Sequence, residues 1–503
     1  IDKNLDISAL VDPIVQAYIY EFGLYLRSPM MKQPVERQDY LFRAPDPSDA
    51  PPELSEFLRT TAAPSAVAMY PREGGRPRGW ACGHTLTIAR LYEELHDVES
   101  CSAVRRCTSG RLLMIDRVRA AQEDIRPLVN ELLVRSLQSD HTYALCRCGA
   151  GDASRRQVLE QLGFIAVEGA SELYFVDMRA PMVLIQDVRL CVKKPHRDER
   201  EVIDAIEAAR PRLRRALTDL YPGKLLLCFD AELLKQSLMF RVQRHNQVRG
   251  LDERHLGKLM CVPYGRILSG ETVPNTVTKT LHVDKSFAPD GSSFSVVEYP
   301  GYSGLQNQVR TVKAFRRPVI LVDDLLHKGY RIGKLNPMFE REGIEISRVI
   351  VGICSGRGQD LMREQNRQVD YEYFIPNLHY WVTESLLYPF LGGDSVSQRP
   401  TLGRMLTSIN LILPYFYPRH FVGTSDDAVR ALSRTALENA LDILRTLEQV
   451  HLRTFNTVLT LRRLGEAIDY PRLPDRGNRL TYDFSVPASS YLEDDLLQLD
   501  RIR

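Results

Sequence analysis

The stretch Pro318-Val319-Ile320-Leu321-Val322-Asp323-Asp324-Leu325-Leu326-His327-Lys328-Gly329-Tyr330-Arg331-Ile332 constrains this chain more than any other. Its aliphatic, β-branched run lacks helical spacing and reads as a strand buried on both faces. Two adjacent carboxylates end the run, and a short loop with a glycine and two cations follows. The residues from about Gly333 to Glu342 then read as helical. This order sets the acids and the loop amides at the carboxyl edge of a parallel sheet, where open α/β folds bind ligands. Helix N-termini and concave arrays of backbone N–H groups receive phosphate well. Two carboxylates beside such a cradle suit the hydroxyls of a sugar, or a Mg²⁺ held jointly with phosphate. The alternative is a buried strand whose acids cap the next helix.

Composition narrows the class. A chain of 503 residues has room for about three domains. Its 66 basic and 64 acidic residues nearly cancel, so there is no broad basic field and no clear nucleic-acid surface. Nine cysteines, an odd number without paired C-x-x-C spacing, argue against a zinc site or a disulfide framework. They fit a reducing compartment, and a cytoplasmic location is expected. Cys146-Arg147-Cys148 reads as alternating strand positions, not a ligand pair. No segment has the apolar length to span a bilayer and no signal peptide is visible, so no membrane partner is expected. The first residue is Ile1, so a processed chain or the later part of a longer polypeptide is expected.

The strand-to-loop pattern recurs around the acidic pair. Leu259–Pro263 reads as a buried strand, Tyr264–Gly270 as a loop with two glycines, and a helix is expected from near Val273. Arg348–Cys354 reads as another strand, followed by the glycine-bearing loop Ser355–Asp360, and Tyr371–Ile375 as a last one. Between these units, Phe294 to Phe315 is polar and glycine-bearing, with Arg310, Lys313, Arg316 and Arg317 near its end. By its residues alone it reads as a solvated hairpin.

The hydrophobic run, acidic pair and glycine loop resemble the type I phosphoribosyltransferase signature, over roughly residues 222–398. His327 and Lys328 depart from it, since the family usually carries small or hydroxylated residues there. The resemblance implies transfer of ribose 5-phosphate from phosphoribosyl pyrophosphate, with Mg²⁺, to a nitrogenous acceptor. It implies that Asp323 and Asp324 hold the ribose hydroxyls and the metal, and stabilise a cation-like transition state. His327, Lys328, Gly329, Tyr330 and Arg331 would hold the 5′-phosphate. Gly265, Arg266 and Gly270 would grip pyrophosphate, since glycine admits close backbone approach and arginine offers paired donors. The family also carries a mobile catalytic loop in the interval from Phe294 to Phe315, from which Arg310 or Lys313 would close over the pyrophosphate. The bulky His327, Lys328 and Tyr330 point to another phosphate-bearing nucleotide as the alternative ligand. A non-catalytic nucleotide sensor or assembly module is the alternative function.

Earlier in the chain, strands expected at Gly110–Val118 and His141–Cys148 flank a helix at Ile125–Leu137. With Leu159-Glu160-Gln161-Leu162-Gly163-Phe164 they resemble the carboxyl half of a GNAT N-acetyltransferase, over about residues 1–185. That family's acyl-CoA pyrophosphate loop corresponds to Arg117–Asp124, which here has no glycine and two acids. An acyltransferase is therefore a third reading, and a degenerate copy of the fold its rival.

The expected fold class is α/β: a GNAT-like mixed-sheet domain (1–185), a linker helix (186–221), and a parallel-sheet, Rossmann-like phosphoribosyltransferase domain (222–398). A helical region (399–470) and an extended tail (471–503) complete it. Val429, Leu432, Leu437, Leu441, Leu444, Leu447 and Val450 repeat at helical spacing, which suits a helical hairpin or a homo-oligomer contact.

Overall fold

The computed structural model describes residues 5–22, 24, 40–46, 48–72, 74–149, 151–248, 256–397, 405–418, 421–476 and 481–502. It is a mixed α/β structure with three sheets among these residues.

The first sheet has nine strands. Tyr40–Arg43, Pro64–Pro71, Gly79–Thr87 and Arg111–Arg119 pair antiparallel in that order, and Arg111–Arg119 then runs parallel to Tyr143–Arg147. The long strand Ala170–Gln186 changes partners along its length. Its first half is antiparallel to Tyr143–Arg147 and Ile165–Val167. Its second half runs parallel to Lys224–Asp230 and Tyr380–Thr383. The sheet thus takes strands from both sides of the expected 186–221 linker.

The second sheet is parallel throughout, in the order Val277–Thr278, Met260–Pro263, Val319–Leu326, Ile346–Ser355, Val369–Ile375. All eight residues of the central strand are buried. Ile320 and Val322 enter a core shared with Leu234 and Leu238 of helix Ala231–His245. Val319 and Leu321 enter the opposite core, with Val309 and Val312 of helix Leu305–Lys313 and Leu335 and Phe339 of helix Tyr330–Arg341. Two apolar layers explain why the run does not alternate.

A third sheet of five strands stands over the carboxyl edge of the second: Phe294–Glu298, Val283–Phe287, Asp394–Val396, Leu406–Ile409 and Arg472–Pro474. Within the region expected to be helical (399–470), the stretch 402–413, expected as a helix, holds a strand instead where it is described, because Leu406 to Ile409 pair with neighbours on both sides. Residues 402–404 lie outside the described residues. The helix expected near Val273 is a turn leading into the short strand Val277–Thr278. The interval 294–315 holds a strand and a helix.

Helix Asp426–Phe455 packs against helices Arg200–Leu220 and Ala488–Arg501. All seven of its marked apolar residues are buried within the chain, so that face is not free for an oligomer contact. The stretch expected as a tail ends in helix Ala488–Arg501, whose Leu492 and Leu499 are buried in the same core. No helix among the described residues is long and apolar enough to cross a membrane.

Candidate functional site

The central strand carries Asp323 and Asp324 into a cavity of about 820 Å³ between the parallel sheet and the third sheet. The neighbouring strand ends at Pro263, and the Tyr264 N–H still bonds the Val322 carbonyl (2.9 Å) before the chain turns across the sheet edge. The turn aims two consecutive amides at one point. Arg266 N–H and Ile267 N–H donate to the two Asp324 carboxylate oxygens at 2.6 and 3.0 Å. This is an anion-binding nest with an internal carboxylate as its occupant. Gly265 is required by contact: a Cβ there would lie 2.4 Å from Asp324 Oδ1 and 2.8 Å from Asp323 Oδ1.

Asp323 is held differently. Its Oδ1 accepts from Arg331 Nη1 (2.6 Å) and from the Asp324 N–H (2.9 Å). Burial pushes its carboxyl up to about 6; Arg331 opposes this and the neighbouring Asp324 adds to it. Three of the pair's four oxygens therefore already have strong donors. Mg²⁺ demands near-octahedral oxygen ligands at about 2.0–2.1 Å. A pair committed to a guanidinium and to backbone amides does not fit a metal bridging both carboxylates.

Arg266 turns away from the acids. Its guanidinium donates to Asp394 (2.7 Å) and lies 3.6 Å from Asp284 on the third sheet. Arg472 donates to Ser395 (2.7 Å) and is itself 3.6 Å from Asp284. This ion network ties the third sheet to the Gly265 turn. Gly270 makes a left-handed turn (φ +76°) outside the residues lining the cavity.

His327, Lys328, Gly329, Tyr330 and Arg331 all line the cavity. Gly329 is left-handed (φ +68°) at the N-cap of helix Tyr330–Arg341, and a Cβ would meet Leu361 at 2.1 Å. No side chain caps that helix start. His327 Nδ1 lies 2.9 Å from Ser355 Oγ, and burial, then Lys328 and Arg357, lowers its basicity. Tyr330 packs edge-on to Phe294 at 5.1 Å. Arg310 and Lys313 are placed elsewhere: on helix Leu305–Lys313 they bind Glu342 at 3.2 and 3.1 Å, outside the cavity lining.

Sequence reasoning missed Lys285. Its ammonium lies 5.3 Å from the Phe294 ring centre and 5.1 Å from that of Trp381. Burial lowers its basicity, with Asp394 as the strongest opposing influence. Val283-Asp284-Lys285-Ser286-Phe287 has three polar residues between two apolar ones, so no period-2 signal marked it as a strand, although it pairs on both sides in the third sheet.

In the first sheet, the stretch Arg117–Asp124 runs from strand Arg111–Arg119 directly into helix Gln122–Leu137. Asp124 and Glu123 occupy the first turn, where Arg78 reaches them at 2.7 and 3.5 Å. A helix start already occupied by its own acids is a poor seat for pyrophosphate.

No family model matches the chain, and no curated protein does. Among solved structures, the AQ2163 protein from Aquifex aeolicus aligns with 40% of this chain and 88% of its own, at 13% identity and a TM-score of 0.20. That likeness carries no argument about fold or function.

Proposed function

We propose that the cavity binds a phosphate-bearing nucleotide without a metal bridging the acidic pair, on a phosphoribosyltransferase-like frame in a cytoplasmic protein. The observation that carries the reading is the uncapped, left-handed turn at Gly329, opening a helix into an 820 Å³ cavity beside a buried acidic pair. Such a turn offers backbone amides and a helix N-terminus to phosphate. Lys328 supplies charge, and the remaining Asp323 oxygen suits a ribose hydroxyl. Phe294, Trp381 and Tyr330 offer ring surface for a base. The first sheet is read as a GNAT-like sheet that has lost its acyl-CoA loop.

The second reading is ribose 5-phosphate transfer from phosphoribosyl pyrophosphate to a nitrogenous acceptor. The position of Asp323 and Asp324 at the carboxyl end of the central parallel strand favours it. Against it stand the filled nest and the commitment of Arg266 to Asp394.

Calorimetric titration separates the two. Purine and pyrimidine nucleoside monophosphates, and phosphoribosyl pyrophosphate with and without Mg²⁺, are titrated into the protein and into Asp323→Asn. Metal-independent nucleotide binding, weakened in the variant, is expected. Binding of phosphoribosyl pyrophosphate only, and only with Mg²⁺, would replace this reading with the transferase. No binding of any of them would remove both.

A further inference from the structure

A second constellation stands in the first sheet, built from three elements: His84 on strand Gly79–Thr87, Glu94 on helix Leu91–Leu95, and Asp116 on strand Arg111–Arg119. One ligand atom from each lies within 4.8 Å of the others. We propose that these residues bind a borderline divalent cation of the Zn²⁺, Co²⁺ or Mn²⁺ kind, with His84 Nε2 and Glu94 as direct ligands and Asp116 orienting the imidazole.

The backbone puts Asp116 there. Gly83 pairs with Ile115 and Cys82 with Arg117, so one step on the first strand matches two on the second. Asp116 is the extra residue of a β-bulge, a device that re-aims a side chain. Gly83 allows the close approach, since a Cβ would meet the Met114 carbonyl oxygen at 2.3 Å. His84 Nδ1 lies 2.8 Å from Asp116 Oδ2, a full hydrogen bond. That bond fixes the ring and makes Nδ1 the protonated nitrogen, leaving the Nε2 lone pair for a metal. Histidine ligands usually have such a carboxylate behind them.

The distance on the other side supplies independent support. Nε2 stands 3.4 Å from Glu94 Oε2, beyond the usual N–H···O range. Two donors about 2.0–2.1 Å from one tetrahedral metal stand roughly 3.4 Å apart. Charge agrees as well, because two carboxylates balance a dication. The three side chains are 15%, 33% and 21% exposed, which leaves a path for entry and room for water ligands. One nitrogen and hard oxygens, with no thiolate, select this borderline group of metals.

The test is Co²⁺ titration of the full chain at neutral pH, followed by calorimetry and visible absorption. One equivalent is expected, with a d–d spectrum free of thiolate charge transfer. His84→Asn should abolish binding, and Asp116→Asn should weaken it roughly tenfold. Circular dichroism checks the fold of each variant, and Glu94→Gln, a near-isosteric change at a partly exposed side chain, repeats the test should His84→Asn misfold. No binding, binding unchanged in Glu94→Gln, or a thiolate band assigning the ion to the cysteines would each overturn the proposal.

Discussion

Asp324 decides what the Gly265 turn is able to hold. Its two oxygens take the Arg266 and Ile267 amides, which are the donors a pyrophosphate would need. Asp324→Ala frees them. On the nucleotide-binding reading, inorganic pyrophosphate then binds about tenfold more tightly or better by calorimetry, whereas on the transferase reading donor binding is lost. Gly265→Ala tests the same contact from the other side. Its Cβ would overlap both carboxylates, so a loss of about 1–3 kcal/mol in urea denaturation is expected. Asp323 contributes a pH dependence. An unfolded aspartate ionises near about pH 3.9, whereas the folded carboxyl keeps its proton to about 6. Its stabilisation is therefore complete below about pH 4 and lost as pH rises through 6. Urea midpoints of the protein and of Asp323→Asn, compared across that interval, should converge or cross as the wild-type advantage falls with rising pH. A constant difference would contradict the raised value.

At the level of elements, the legible parts were those whose signal is local. Val319–Leu326 declared itself because both its faces are buried, and the acids and Gly329 follow in one continuous stretch. Strand Lys224–Asp230 did not. Leu225 to Phe229 form a short apolar run against a helix start, and periodicity alone does not separate such a run from the helix's first turn. Helix Leu305–Lys313 was legible in its Leu305, Val309 and Val312 spacing, but the glycines before it drew the reading toward a loop. The site's third-sheet half was hidden for another reason. Arg266 meets Asp394 across 128 positions, and no spacing rule reaches that far. The cost of misreading the interval falls on Arg310 and Lys313, whose helix points them at Glu342. Arg310→Gln/Lys313→Gln should change nucleotide affinity by less than about twofold and stability by about 1 kcal/mol or less per pair. A large loss of binding by calorimetry would return these cations to the site.

Across the whole molecule, strands and helices distant in sequence share one framework, and Arg210 is where it is tied. From helix Arg200–Leu220 it reaches Glu207 (2.5 Å), Asp230 at the end of its strand (3.3 Å), and Glu384 just beyond Tyr380–Thr383 (3.6 Å). Glu384 is fully buried, and burial pushes its carboxyl up to about 7 against the pull of Arg210. Neither Glu384 oxygen has a hydrogen-bond partner among the described residues, so the guanidinium's charge is its main compensation. Removing one member of a buried pair leaves the other uncompensated, at about 3–5 kcal/mol, while replacing both by apolar groups can be nearly neutral. Arg210→Met should therefore destabilise by that order in guanidinium denaturation, and Arg210→Met/Glu384→Leu should recover most of it. The loss in Arg210→Met should also shrink as pH falls below about 7, because Glu384 then protonates and no longer needs a countercharge. Additive effects at all pH values would mean that the three segments are held by apolar packing alone. Strong coupling would show that the expected linker helix is an integral part of the sheet framework.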